Sequence, residues 1–147
     1  MNLSIQFAAV IGLLLLATVG GLIWKAKTGT AKKVTKGEVV DLKEIAAVKD
    51  GKPVTEFGER VTFLQFSSEV CSQCAQTARL FHELEAHHDD VLHIEVDITN
   101  RLDLANKFNI LQTPTTLVLD KNGVVTSRIG GAAKPQTIQD QLGSFHI

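Results

Sequence analysis

The sequence predicts an α/β domain, a mixed central sheet with helices on both faces, preceded by one N-terminal transmembrane helix. Three observations carry this. Strand-like and helix-like patterns alternate from Val61 onward and finish in a hairpin signal. The only two cysteines, Cys71 and Cys74, stand at the junction of a strand pattern and a helix pattern. Residues 5–24 are an uncharged apolar run in which only Gln6 and Thr18 are polar.

At about 1.5 Å per residue the run 5–24 spans about 30 Å, the hydrocarbon thickness of a bilayer. Trp24 closes it where aromatic belts sit. The expected division is an anchor over 1–24, a basic linker over 25–38 and a folded domain over 39–147. A cleaved secretory signal is the alternative for the first part. The absence of Lys and Arg from the first four residues, the length of the run and the lack of a small-x-small site directly after it favour the anchor. Lys25, Lys27, Lys32, Lys33 and Lys36 all follow the span, so the positive-inside rule puts the domain in the cytoplasm, with the extracytoplasmic side as the alternative. Residues 28–37 hold threonines, lysines, Gly29 and Gly37 without apolar periodicity and read as a linker, its lysines either held near lipid headgroups or simply solvated.

Within the domain, Val39 opens a short β-prone start, 41–48 reads as a helix, and Asp50-Gly51-Lys52-Pro53 ends it as a turn. Val61–Phe66 is apolar and β-prone, as a buried strand is. Ala75, Ala78, Leu80, Phe81, Leu84 and Ala86 fall near helical spacing and predict a helix over 72–87. A strand over 91–97, a helix over 101–108 and a strand over 115–119 follow. Asp120-Lys121-Asn122-Gly123 is a turn whose Asn-Gly is a strong hairpin signal. The return strand runs over 124–129, Gly130-Gly131 closes it, and a last helix covers 135–142.

This arrangement sets Cys71 at or near a helix N-terminus, where unpaired backbone N–H groups and the helix dipole favour an anion. A thiolate is an anion, so the position raises the reactive fraction of the thiol at neutral pH. Cys74, one turn on, shares its face and lies within reach of a disulfide. One cysteine attacks and the other resolves. A net charge of -1, no tyrosine and a single tryptophan exclude a nucleic-acid surface. Two cysteines exclude a multi-disulfide scaffold. Zinc needs about four ligands, and His82 is about 12 Å along the helix from Cys74, with His87 and His88 further. No metal or cofactor is expected.

Four features in order are the CxxC after a strand, Asp97 ending the next strand, Thr113-Pro114 before a strand, and the late Gly130-Gly131. On these the sequence resembles the thioredoxin family from about Val40 to Leu142, as a membrane-anchored bacterial thioredoxin-like protein would. The resemblance implies a thioredoxin fold and a thiol–disulfide oxidoreductase. Cys71 would be the nucleophile and Cys74 the resolving thiol. Pro114 would be the family's cis-proline. Thr113, Val70, Ser72 and Gln73 would line the substrate side, with the Thr113 hydroxyl donating to the thiolate sulfur.

The departures are as informative. Gln65 stands six positions before Cys71, where the family carries a buried acid, and Glu69 on the loop is a candidate substitute. His93 stands where the family has a lysine and is expected to adjust proton supply between pH 5 and 8, or to be a half-buried strand residue without a role. Asp97 is expected to hold the turn after its strand. Val70 removes a substrate-facing tryptophan, and Ser72-Gln73 replaces Gly-Pro. Expected partners are a disulfide-containing protein, a thiol reductase or membrane electron donor, and the lipid bilayer, with the chain a monomer. Two other readings stay open. One is an extracytoplasmic exchange protein, either a cytochrome maturation-type reductant or a disulfide donor. The other is a redox-inactive binding module on the same fold.

Overall fold

The uncharged N-terminal run continues as one helix, α1 (Leu3–Lys27), in a computed structural model that describes residues 2–145. The last two residues of the expected domain lie outside the described residues. No residue of α1 is buried. The helix is long and apolar enough to cross a membrane, a property it shares with signal sequences.

The expected linker 25–38 instead carries the outer strand of the sheet. Ala31–Lys33, β1, pairs antiparallel with Val125–Gly130. Pairing continues less regularly as Val34 N donates to Thr126 O, Val125 N to Glu38 O and Val40 N to Gly123 O. The cause lies outside the segment: the outer edge of strand 125–130 presents backbone groups that need partners. Lysines are suited to such an edge, where their side chains reach water. Gly29 starts this contact at φ 75°, and an added Cβ would meet Ala132 O at 2.2 Å. Gly29→Ala is therefore expected to lower stability by about 1 kcal/mol or more, read from denaturant unfolding in micelles.

The expected helix over 41–48 is also corrected. Residues 42–46 form turns, Ala46 takes φ 50°, and Val48–Lys49 (β2) pairs with Lys52–Pro53 (β3). Leu42, Ile45 and Ala47 are all buried. Positions 45 and 47 cannot share one face of a helix, so burying both requires the chain to leave the helical path at Ala46.

The remaining elements are β4 (Val61–Ser67), α2 (Ser72–His87), β5 (Val91–Asp97), α3 (Leu102–Lys107), β6 (Thr115–Leu119), β7 (Val125–Gly130) and α4 (Pro135–Ser144). The sheet order is β1-β7-β6-β4-β5, with β4 and β5 parallel and the other neighbours antiparallel. Every residue of β4 and β6 is buried, which explains their unbroken β-prone runs. On one face Phe63 stacks on Phe81 of α2 at 4.7 Å, beside Ile138 and Leu142 of α4. On the other, Phe66 meets Phe108 at 5.3 Å among Leu104 and the 42–47 turns. Helices thus cover both faces of a mixed sheet.

Candidate active site

The end of β4 and the loop 68–70 deliver Cys71 to the N-cap of α2. Cys71 and Cys74 are joined as a disulfide with Cα atoms 5.2 Å apart. Cys71 Sγ accepts the Cys74 backbone N–H at 3.1 Å, so one first-turn donor of α2 aims at this sulfur. Cys71 is partly exposed, whereas Cys74 is only 2% exposed. A substrate sulfur can therefore reach Cys71 while Cys74 is shielded. Val70, Ser72 and Gln73 are all exposed around the pair.

Pro114 opens β6 one residue before its first pairing and follows a cis peptide bond from Thr113. Its carbonyl accepts Gly131 N at 2.8 Å. With the pair oxidised, the Thr113 hydroxyl shares a hydrogen bond with Ser68 Oγ at 3.0 Å, on the loop leading to Cys71. That contact ties the CxxC loop to the proline loop.

Beneath the pair lies a polar network that the parallel register creates. Gln65 stands opposite Glu95 and Ser67 opposite Asp97, and alternation puts Phe63, Gln65, Ser67 and His93 on the α2 face. Fully buried Gln65 donates from Nε2 to Cys74 O at 2.9 Å and to Ser67 Oγ at 3.0 Å. Its Oε1 accepts from His93 Nε2 at 3.0 Å. Ser67 Oγ donates onward to Glu95 Oε1 at 2.7 Å. The result is a directed chain from the imidazole through the amide and the hydroxyl to a carboxylate. Gln65→Leu would strand the imidazole N–H, the Cys74 carbonyl and one side of Ser67. We expect it to cost about 2 kcal/mol in denaturant unfolding.

His93 is neither half-buried nor a tuner of protons between pH 5 and 8. It is 3% exposed, stacked on Phe81 at 5.0 Å and edge-on to His82 at 5.3 Å. Burial first, then the charges of His82 and Lys49, push it down to about 3. It stays neutral and serves as a fixed donor to Gln65. Glu69 is exposed on the loop and fastened through its backbone N–H to Thr99 Oγ1 at 3.0 Å, apart from the buried network. Asp97 accepts Thr99 N at 2.7 Å and so holds the turn after β5. Ser67 and Glu95 were not singled out in the sequence. The one signal was a carboxylate placed level with Gln65 on the adjacent strand, and that requires the strand register.

Residues 49–144 match the family model described as thioredoxin. The chain belongs to the thioredoxin family. It is similar to thioredoxin H5 of Oryza sativa subsp. japonica, 31% identical over 78 residues, which cover 53% of this chain and 57% of the rice protein. It is also similar to the thioredoxin of Bacillus subtilis, 29% identical over 93 residues, covering 63% of this chain and 88% of the bacterial one. The Fasciola hepatica thioredoxin structure matches 60% of this chain and 83% of its own, with a TM-score of 0.52 and 19% identity, a likeness of fold. Cys71 and Cys74 are thus a thioredoxin-family CxxC pair at disulfide distance. The thioredoxin homologues and the motif together support thiol–disulfide oxidoreductase activity.

Proposed function

We propose that this chain is a membrane-tethered thioredoxin that reduces disulfides on partner proteins. The observation that carries the reading is the asymmetry of the pair: an accessible Cys71 at the N-cap of α2, joined to a buried Cys74. In the reduced protein the Cys71 thiolate attacks one sulfur of the substrate disulfide. That bond breaks, the other substrate sulfur leaves as a thiolate and takes a proton, and a mixed disulfide forms. Cys74 gives up its proton and attacks Cys71 Sγ, releasing the second substrate sulfur as a thiol. The substrate gains two electrons, and the CxxC pair is left oxidised until a thiol reductase or a membrane electron donor restores it. Val70, Thr113, Pro114, Ser72 and Gln73 form the surface on which the substrate backbone rests.

Tethering by α1 raises the local concentration of membrane-bound clients. Lysines that follow the span favour a cytoplasmic domain. Residues 1–24 then act as the anchor, and the redox domain works as a monomer. Maleimide labelling of Cys71 in intact cells tests this. The expected result is a chain that resists carbonate extraction and reacts, as a free thiol, with a permeant maleimide alone. Labelling by an impermeant reagent would move the domain to the other side and favour the extracytoplasmic reading. Release by carbonate would remove the anchor.

A further inference from the structure

We infer that the redox pair faces the bilayer surface and that its partner is an integral membrane protein whose cysteines lie at that surface. This rests on the membrane-tethered reading above. The topology carries it. Strand β1 is antiparallel to β7, β7 to β6, and β6 to β4. The chain therefore enters β1 at the end of the sheet where β4 runs out into the Cys71 loop. The register gives the level: Ala31 lies opposite Ile129, Ile129 opposite Thr116, and Thr116 opposite Gln65. α1 ends at Lys27, leaving residues 28–30 between helix and sheet. Three residues extend at most about 10 Å.

Nor is this joint free to swing. Thr28 N donates to Trp24 O at 3.1 Å, Gly29 N to Gly130 O at 2.8 Å, and Lys134 Nζ to Ala26 O at 3.1 Å. A Cβ on Gly131 would meet Thr28 Cγ2 at 2.5 Å. The loop that grips the joint is the one whose Gly131 N–H holds the carbonyl of Pro114. The exit from the membrane helix is thus fastened to the back of the cis-proline loop.

The surface at this end matches its position. A cavity of about 440 Å³ has Trp24, Lys27, Leu111 and Gln112 in its wall, so the end of the helix and the approach to Pro114 share one hollow. Val70, next to Cys71, is 98% exposed, and Leu111, in the wall of the hollow, is 86% exposed, two large apolar side chains where an unpartnered surface would disfavour them. Lys25, Lys27 and Lys134 gather at the same end, as suits anionic headgroups. A soluble substrate has to enter between this face and the lipid. A disulfide held at the surface of a membrane protein arrives there already, with apolar flanks for Val70 and Leu111.

The test uses the full chain in lipid vesicles. Cys71 carries a fluorophore in Cys74→Ser, and the control carries it at the far end of the sheet in Cys71→Ser, Cys74→Ser, Asn122→Cys. Seven residues of β4 separate the two ends by about 23 Å, so energy transfer to a headgroup acceptor is expected to be at least about twofold stronger from position 71. Equal transfer, or stronger transfer from 122, overturns the inference whatever the redox activity. In parallel, the pre-reduced protein meets transmembrane peptides whose disulfide lies directly past the apolar stretch or about 25 residues beyond it. Reduction of the near disulfide about tenfold faster supports the partner; equal rates, or reduction of neither, overturn it. If the chain also fails on oxidised glutathione, the reductase reading fails with it.

Discussion

Replacing Cys71 with serine is expected to abolish disulfide reduction, by at least about a thousandfold, because no other nucleophile can take its place. Cys74→Ser is expected to stop the reaction later and differently. Cys71 stays accessible at the α2 N-cap, where the backbone N–H of residue 74 aims at its sulfur, so the mixed disulfide still forms. With Cys74 gone, nothing resolves it, and partners accumulate as adducts visible on a non-reducing gel and lost on reduction. The asymmetry of exposure decides which variant traps, since a lone Cys74, 2% exposed, is out of a partner's reach. Trapping by Cys71→Ser in place of Cys74→Ser would reverse the two roles. Partner capture that persists unchanged in the double variant would favour the binding-module reading over the enzyme.

Much of this architecture was legible because the sheet's interior strands and α2 bury faces that their own residues declare. Val61–Phe66 and Thr115–Leu119 are β-prone without a break, and both strands are buried throughout. The stretch 72–87 keeps helical spacing and is a helix with those bounds. Elements whose structure is imposed from outside were not legible. Residues 28–37 look like a linker because their own side chains bury little, yet the edge of β7 recruits their backbone. The 41–48 stretch has helix formers, but Leu42, Ile45 and Ala47 must all reach one core. The cysteines announced themselves through residue type and spacing. The network beneath them did not, because Gln65, Ser67, His93 and Glu95 are joined only by the register of two strands distant in sequence.

Acid is expected to destabilise this fold through His93 by about 4 kcal/mol between pH 6.5 and about 3.5. In the unfolded chain the imidazole takes its proton near 6.5, and in the fold only near about 3. Between those values the unfolded state holds one more proton. Each unit of acidification then favours unfolding by about 1.4 kcal/mol. Above 6.5 both states are neutral and the dependence vanishes. The local charges do not offset this: Lys49 Nζ donates to His93 O at 3.1 Å, His82 lies against the ring, and the Glu85 carboxylate is engaged by Lys49 and by His93 N. Glu95 meets Ser67 and does not touch the imidazole. His93→Gln supplies an amide donor for Gln65 but does not titrate. It loses the stacking on Phe81, which shifts stability by a constant amount at every pH. The informative quantity is therefore the slope of the difference between the two proteins, measured by denaturant unfolding of the full chain in micelles. A difference that widens toward neutral pH in favour of the histidine form, and levels off above 6.5, is the expected result. A flat difference would mean that protons reach His93 in the folded state. The ring would then be a cation at mildly acid pH beside the amide that holds Cys74, and the network would conduct a titration instead of excluding one.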